Sequence, residues 1–130
     1  MRNFEFSQSL DRDFLNSVYE DDPGYAVEIF ESFVEALPTG LKELEEKYQE
    51  GDITGFRSVA HRLKPSFSYV GLTGITNQMA ILEKSCLEIQ RLEESAVLYR
   101  QVLQEIEAGF PHIKEELIRL KAYIQLEEKS

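Results

Sequence analysis

The sequence predicts an all-α protein, an antiparallel up-down four-helix bundle with an extra short helix at its N-terminus. Three observations lead to this prediction. Apolar residues recur every three or four positions through five segments, the alternation typical of strands is almost absent, and short turn signals separate the segments. Helices joined by short connections pack as antiparallel neighbours, so four long segments in this order favour a bundle.

The first predicted helix covers about residues 10–20. Its apolar residues are spaced four positions apart: Leu10, Phe14 and Val18. Ser9 is the expected N-cap, and the Asp-Asp-Pro-Gly run that follows should end the helix. Phe4 and Phe6 precede this helix, and we expect them to cover one end of the bundle.

The second predicted helix covers about residues 23–50 and keeps one apolar stripe in phase throughout. The stripe consists of Ala26, Phe30, Phe33, Leu37, Leu41, Leu44 and Tyr48. Because the phase continues past Pro38 and Gly40, we expect one long helix with a kink. Gly51 is suited to end this helix, and Asp52 is suited to cap the next one.

The third predicted helix covers about residues 52–70 and has two distinct faces. One face has the spacing of a buried stripe: Phe56, Val59, Ala60, Leu63, Phe67 and Val70. The opposite face carries Arg57, Ser58, His61, Lys64, Pro65 and Ser68. The imidazole of His61 should therefore point toward solvent, with the cation of Lys64 one turn away.

The fourth predicted helix covers about residues 72–91, after a break at Gly71. Its stripe consists of Leu72, Ile75, Met79, Leu82, Cys86 and Ile89. The fifth covers about residues 95–126 and stays in phase through Gly109 and Pro111. Its stripe consists of Tyr99, Val102, Ile106, Phe110, Ile113, Leu117, Leu120 and Ile124. We expect one helix that bends at Pro111, which has no backbone N–H.

Length and composition limit the classes of function. We expect a single domain over residues 1–130, long enough to bury a core without disulfides or a structural metal. The net charge of −10 argues against nucleic-acid and membrane-surface binding. One cysteine, Cys86, excludes an internal disulfide, and no segment has the pattern of a signal peptide or a membrane span. We therefore expect a cytoplasmic protein.

Residues 60–71 read AHRLKPSFSYVG. This segment resembles the motif of the histidine-containing phosphotransfer (HPt) domain of two-component phosphorelay signalling, which runs roughly AHxLKGSSxxxG. The matching positions are Ala60, His61, Leu63, Lys64, Ser66 and Gly71. Pro65 departs from the motif, because the family usually has glycine there. The predicted helical layout extends the resemblance to nearly the whole chain.

The resemblance implies that His61 is the phosphoacceptor. A neutral imidazole is a competent nucleophile near neutral pH and attacks directly, so no general base is needed. Lys64 would stabilise the charge of the arriving phosphoryl group. Glu83 follows on the next helix, where the family often has glutamine or glutamate near the imidazole, and it could orient the ring by accepting Nδ1–H. A solvated surface glutamate is the alternative interpretation of Glu83.

Three residues on the same helix face as His61 are the expected partner-binding residues: Arg57, Pro65 and Ser68. Pro65 has a further consequence, because it lacks the N–H that would bond the carbonyl of His61. We therefore expect the helix to bend at its active residue. Such a bend would tilt the imidazole outward or free its carbonyl for another donor.

The resemblance implies a phosphorelay intermediate. His61 would accept a phosphoryl group from a receiver-domain aspartate and pass it to another receiver domain. The implied partners are the receiver domains of response regulators and hybrid histidine kinases, with no nucleic acid and no membrane, and we expect a monomer. The sequence has no GxxxxGK[ST] loop and no glycine-rich loop of a kinase, so we expect a carrier rather than an enzyme.

No cofactor is expected, and any Mg²⁺ would belong to the partner receiver domain. The second histidine, His112, has no HExxH or comparable spacing, so no metal site is expected either. A non-catalytic helical interaction module, which would bind receiver or kinase domains through the same face, is the alternative function. A segment of a larger hybrid kinase is less favoured, because the chain begins with Met1 and the helical pattern reads as complete.

Overall fold

The structure is a computed structural model that describes residues 4–129, and these contain no strand. The helices are α1 (Arg12–Tyr19), α2 (Pro23–Glu50), α3 (Ile53–Tyr69), α4 (Thr73–Ser85), a short 3-10 helix (Leu92–Ser95) and α5 (Ala96–Lys129). The prediction of an all-α protein with four bundle helices and a short N-terminal helix is confirmed.

The four long helices form a ring in which each packs against two neighbours: α2 against α3 and α5, and α4 against α3 and α5. Ring contacts between helix ends show their directions. Phe33 near the start of α2 packs against Phe67 near the end of α3, with ring centroids 5.5 Å apart. Tyr48 near the end of α2 packs against Tyr99 near the start of α5, at 4.9 Å. The helix α2 is therefore antiparallel to both α3 and α5, as predicted.

The apolar stripes of the bundle helices meet in one core. Its fully buried side chains include Phe30 of α2, Phe56 and Phe67 of α3, Met79 of α4 and Val102 of α5. Burying a side chain of this size stabilises the fold by about 2 kcal/mol relative to exposure. This burial fixes the rotation of each helix about its axis and therefore decides which residues of α3 face solvent.

The first helix differs from the prediction in its cap and its buried face. Asp11, not Ser9, is the N-cap, and its carboxylate accepts the N–H of Phe14 at 3.1 Å. The buried residues of the helix are Leu15 and Tyr19. The predicted stripe residues Phe14 and Val18 are only partly buried. Leu15 and Tyr19 are four positions apart, and so are Phe14 and Val18. The spacing alone could therefore not show which of these two helix faces is buried.

The fourth helix ends at Ser85, several residues before the predicted end at 91. Beyond it, the N–H of Cys86 bonds the carbonyl of Glu83, three residues back, as in the tight turns that close helices. The carboxylate of Glu94 then accepts the N–H groups of Gln90 and Arg91 at 2.9 and 2.8 Å. These bonds replace helical ones, so the helix stops although Cys86 is still buried in the core.

The long helices α2 and α5 continue through Pro38 and Pro111, and α3 continues through Pro65. The continuity of α2 and α5 was predicted, and the expected bends at the prolines stay predictions. The last helix runs to Lys129 instead of ending near 126. The expected single domain begins at residue 1 and ends at 130, and residues 1–3 and 130 lie outside the described residues.

Two glycines make the turns on either side of α3. Gly51 ends α2 with φ +70, and Asp52 caps α3 by accepting the N–H of Gly55 at 2.9 Å, both as predicted. Gly71 has φ +83, and the N–H of the following residue bonds back to the carbonyl of Phe67 at 2.8 Å. This second turn starts α4 directly after α3 and so sets the register between them.

The N-terminal segment, residues 4–10, covers one end of the bundle as predicted. Phe6 is buried and stacks on Phe30 at 6.3 Å. The N–H of Ser7 donates to the buried carboxylate of Glu116 in α5 at 2.6 Å, and Arg119 pairs with the same carboxylate. Pairing and hydrogen bonding compensate the cost of burying this charge.

Gly71→Ala should lower the free energy of unfolding by about 2 kcal/mol or more. Its backbone has φ +83, and an added Cβ would lie 2.8 Å from side-chain atoms of Leu10 and Leu15. Urea denaturation would measure the change. Gly74→Ala is the matched control, because nothing lies within 4 Å of its Cβ and alanine favours the helix. Equal losses in the two variants would contradict this account of the turn.

Candidate functional site

The rotation of α3 presents His61 to solvent. Its neighbours Val59 and Ala60 are buried in the core, whereas the His61 side chain is 68% exposed. An imidazole held on a rigid helix and this open to solvent can be approached by a second protein without rearrangement of the bundle. The predicted position of His61 on the exposed face is therefore what the structure shows.

Glu83 of α4 contacts this imidazole directly. Its Oε1 lies 2.6 Å from Nδ1 of His61, and its side chain is only 19% exposed. An ionised carboxylate can only accept a hydrogen bond, so the contact places the proton of a neutral ring on Nδ1. The lone pair is then on Nε2. Of the two interpretations of Glu83 from the sequence, a residue near the imidazole and a solvated surface glutamate, the geometry matches the first.

Lys64 contacts the same carboxylate. Its Nζ donates to Oε2 of Glu83 at 2.8 Å, and the side chain is 26% exposed. The two oxygens of Glu83 therefore connect the imidazole of His61 with the ammonium of Lys64. The sequence placed Lys64 beside His61 but did not indicate that its ammonium would bind Glu83. The helical spacing of three between His61 and Lys64 was the signal that could have suggested a shared acceptor.

The environment of Glu83 keeps its carboxyl group ionised. Partial burial raises the pKa of this group, but hydrogen bonds from Lys64 and His61 outweigh that effect, and the pKa is lowered overall. A lowered pKa in the folded state stabilises the fold at pH values above the unfolded pKa of about 4.3. That contribution is lost as the pH falls through the lower folded value.

Hydroxyl contacts between α3 and α4 set the position of Glu83. The hydroxyl oxygens of Ser68 and Thr76 are 2.7 Å apart, and Thr76 Oγ1 also lies 3.4 Å from the carbonyl of Lys64. Leu82, the residue before Glu83, is fully buried. These contacts hold Glu83 at the level of His61. Ser68, which was expected to bind a partner, is partly buried and engaged within the bundle.

The other expected partner-binding residues are exposed on the same face. Arg57 lies one turn before His61 and has no ion pair or hydrogen bond within residues 4–129. Pro65 lies one turn after His61 and is exposed. Arg62 is also exposed, but it pairs with Glu43 of α2. The face around His61 thus offers Arg57 as a cation that is free to meet another protein.

An apolar groove between α2 and α3 borders this face. Its volume is about 330 Å³, and its lining includes Ile29, Phe33, Leu37, Leu63 and Tyr69. The ring of Tyr69 is nearly half exposed, and its carbonyl accepts the hydroxyl of Tyr19 at 2.6 Å. The sequence did not identify this groove, because its walls come from the facing sides of two helices, and no single helical pattern shows which positions meet.

The described part of the chain offers no group of three or more metal-ligating side chains. His112 is exposed on α5, far from His61 in sequence, and contributes to no such group. In the same residues, no helix combines the length and apolar character needed to cross a membrane.

Comparisons with known proteins bear on the region that contains this site. A family model described as "Hpt domain" matches residues 28–123, which include most of α2 and α5 and all of α3 and α4. "Phosphorelay intermediate protein rdeA" of Dictyostelium discoideum is 24% identical over 104 residues. That alignment covers 80% of this chain but 41% of the relative, so the chain spans about two fifths of its length. No solved structure matches the chain.

Lys64→Met should raise the pKa of Glu83, because it removes a hydrogen bond and a positive charge that lower this pKa. Carboxyl ¹³C NMR titration would measure the change. Lys84→Met is the control, since Lys84 is the exposed neighbour of Glu83 and makes no ion pair within residues 4–129. A rise of the same size in both variants would show that general surface charge, not the Lys64 contact, sets the pKa.

Proposed function

Because the chain belongs to the Hpt domain family, we propose that it is a phosphorelay intermediate. His61 accepts a phosphoryl group from a receiver-domain aspartate and passes it to the aspartate of another receiver domain. The observation that carries this proposal is the exposed imidazole whose Nδ1 contacts Glu83 at 2.6 Å, an arrangement that leaves Nε2 as the nucleophile.

The transfer needs no general base. The Nε2 lone pair of His61 attacks phosphorus in line, an Nε2–P bond forms, and the P–O bond to the donor aspartate breaks. The electron pair of that bond leaves with the aspartate carboxylate. For the outward step the same events run in reverse, and the electron pair returns to Nε2.

Two cations offset the charge that arrives with the phosphoryl group. Lys64 is held by Glu83 within one helical turn of His61, close enough in sequence to reach a group on the ring. Arg57, one turn on the other side, has no partner of its own in the described chain and can contact the receiver. Both support binding to the aspartate cluster of a receiver domain.

The docking surface is centred on His61. It comprises the exposed Arg57 and Pro65, with Ser68 at its inner margin, and the apolar groove that includes Leu63 and Tyr69 provides complementarity. We propose that the partners are receiver domains of response regulators and hybrid histidine kinases. The chain acts as a single-domain cytoplasmic monomer without a cofactor, and any Mg²⁺ is bound by the receiver.

Incubation with a phosphorylated receiver domain should place an acid-labile, base-stable phosphate on the wild-type chain. His61→Ala should accept none while still binding the receiver, because only the nucleophile is lost. His112→Ala, which removes the other exposed histidine, is the control and should accept phosphate normally. Phosphate-affinity electrophoresis after acid and base treatment would measure acceptance.

The same experiment separates this proposal from an interaction module. Phosphate on His61→Ala would place the phosphoacceptor elsewhere in the chain. If receivers bound the wild-type chain and phosphate never moved, the chain would be a non-catalytic module.

Pro65→Gly should slow phosphoryl acceptance by about two- to tenfold, because a helix without the proline bend would hold the imidazole less favourably. Rapid-quench kinetics with a phosphorylated receiver would measure the rate. Pro111→Gly makes the same change inside α5, which carries no residue of the site, and should leave the rate unchanged. An unchanged rate in Pro65→Gly would show that this proline is a tolerated family variant.

A further inference from the structure

The residue that binds Nδ1 of His61 is a carboxylate, and a carboxylate can accept a proton donor but cannot donate. Oε1 of Glu83 lies 2.6 Å from Nδ1, and Lys64 occupies Oε2 at 2.8 Å. The lysine lowers the pKa of Glu83, which keeps the carboxylate ionised. At this distance the contact is favourable only while Nδ1 carries a proton.

Protonation at Nδ1 decides how readily a phosphorylated ring gives up its phosphoryl group. When the Nε2–P bond breaks, the electron pair stays on Nε2. A ring that keeps its Nδ1 proton leaves as neutral imidazole, whereas a ring that has lost this proton must leave as an anion. The protonated ring is therefore much the better leaving group, which explains why phosphohistidine is labile in acid and stable in base.

We propose that Glu83 holds the phosphorylated ring of His61 in its Nδ1-protonated form and so keeps the phosphoryl group transferable at and above neutral pH. The proposal rests on the proposed function only in taking His61 as the phosphoacceptor. Glu83 is a positioning residue, because it acts through the ring and does not touch the phosphoryl group.

Glu83 stands apart from the other charged groups around the imidazole of His61. The charged residues of α3 within one turn of His61 are Arg57, Arg62 and Lys64, and the neighbouring helices add Glu83 and Lys84 of α4 and Glu43 of α2. Four of these groups are cations, and the Glu43 carboxylate is paired with Arg62. Within residues 4–129, Glu83 is the carboxylate that contacts the imidazole.

Glu83→Gln separates charge from shape. A glutamine has nearly the same size, but its amide can rotate and donate to an unprotonated Nδ1. The variant should therefore allow the phosphorylated ring to lose its Nδ1 proton at lower pH. Glu88→Gln is the matched control, since it makes the same charge change at an exposed residue just after α4.

The experiment uses potassium phosphoramidate as the phosphoryl donor and His112→Ala as the background, so that His61 is the one histidine available. After removal of the reagent, ³¹P NMR follows the half-life of the phosphohistidine from about pH 6 to about pH 9. Nδ1 protonation is read independently from the ¹⁵N shift of the ring.

The phosphohistidine should remain labile up to a pH about one unit higher in the parent, which keeps Glu83, than in Glu83→Gln. A nearby opposite charge shifts the pKa of a group by about one unit or more. Near pH 8 the Glu83→Gln phosphoprotein should therefore survive about tenfold longer. Glu88→Gln should follow the parent profile. Superimposable profiles for Glu83→Gln and its parent, or a change by the same factor at every pH, would overturn the proposal.

Failure here is distinguishable from failure of the proposed function, because phosphoramidate replaces the receiver. A shifted pH profile in a protein that no receiver phosphorylates would retain this inference and refute the relay. If receivers exchanged phosphoryl groups with the chain normally and the pH profile of Glu83→Gln were unshifted, the relay would be retained and this inference refuted.

Discussion

The packing of α3 against α4 brings Glu83 of one helix to His61 and Lys64 of the other. Successive residues on a helix point about 100° apart, so a shift of one position in α4 would turn the carboxylate away from the ring. The turn at Gly71 and the hydroxyl contact between Ser68 and Thr76 prevent such a shift. The contacts that join the imidazole, the ammonium and the carboxylate all depend on this one register.

Features with a local cause could be predicted from the sequence. The exposure of His61 follows from the buried stripe of α3, because the two faces of a helix are set by residues within a few turns. Glu83 could be suggested near the ring only because the family resemblance added to the phase of its neighbour Leu82 in the stripe of α4, and a solvated glutamate stayed open as the alternative. The continuity of α2 through Pro38 also follows from unbroken phase.

Features that depend on competition between hydrogen-bond partners could not be predicted from periodicity. The apolar phase of α4 continues through Cys86, yet Glu94 captures N–H groups that a longer helix would have used. The bond between Lys64 and Glu83 needs the spacing between two antiparallel helices, which no single helical pattern contains. On a helical projection, Ser68 lies on the same polar face as His61. In the bundle, the hydroxyl of Thr76 is close enough to form a hydrogen bond with the hydroxyl of Ser68.

Cys86 lies at the end of α4, three residues after Glu83, with its thiol buried and donating to the carbonyl of Leu82 at 3.4 Å. Burial raises the pKa of this thiol, which keeps it in the form that reacts slowly with oxidants and electrophiles. Since the sequence has no second cysteine, no other thiol competes for a thiol-directed reagent. A cysteine introduced beside His61 would be the reactive thiol, so a fluorophore attached there could report docking directly.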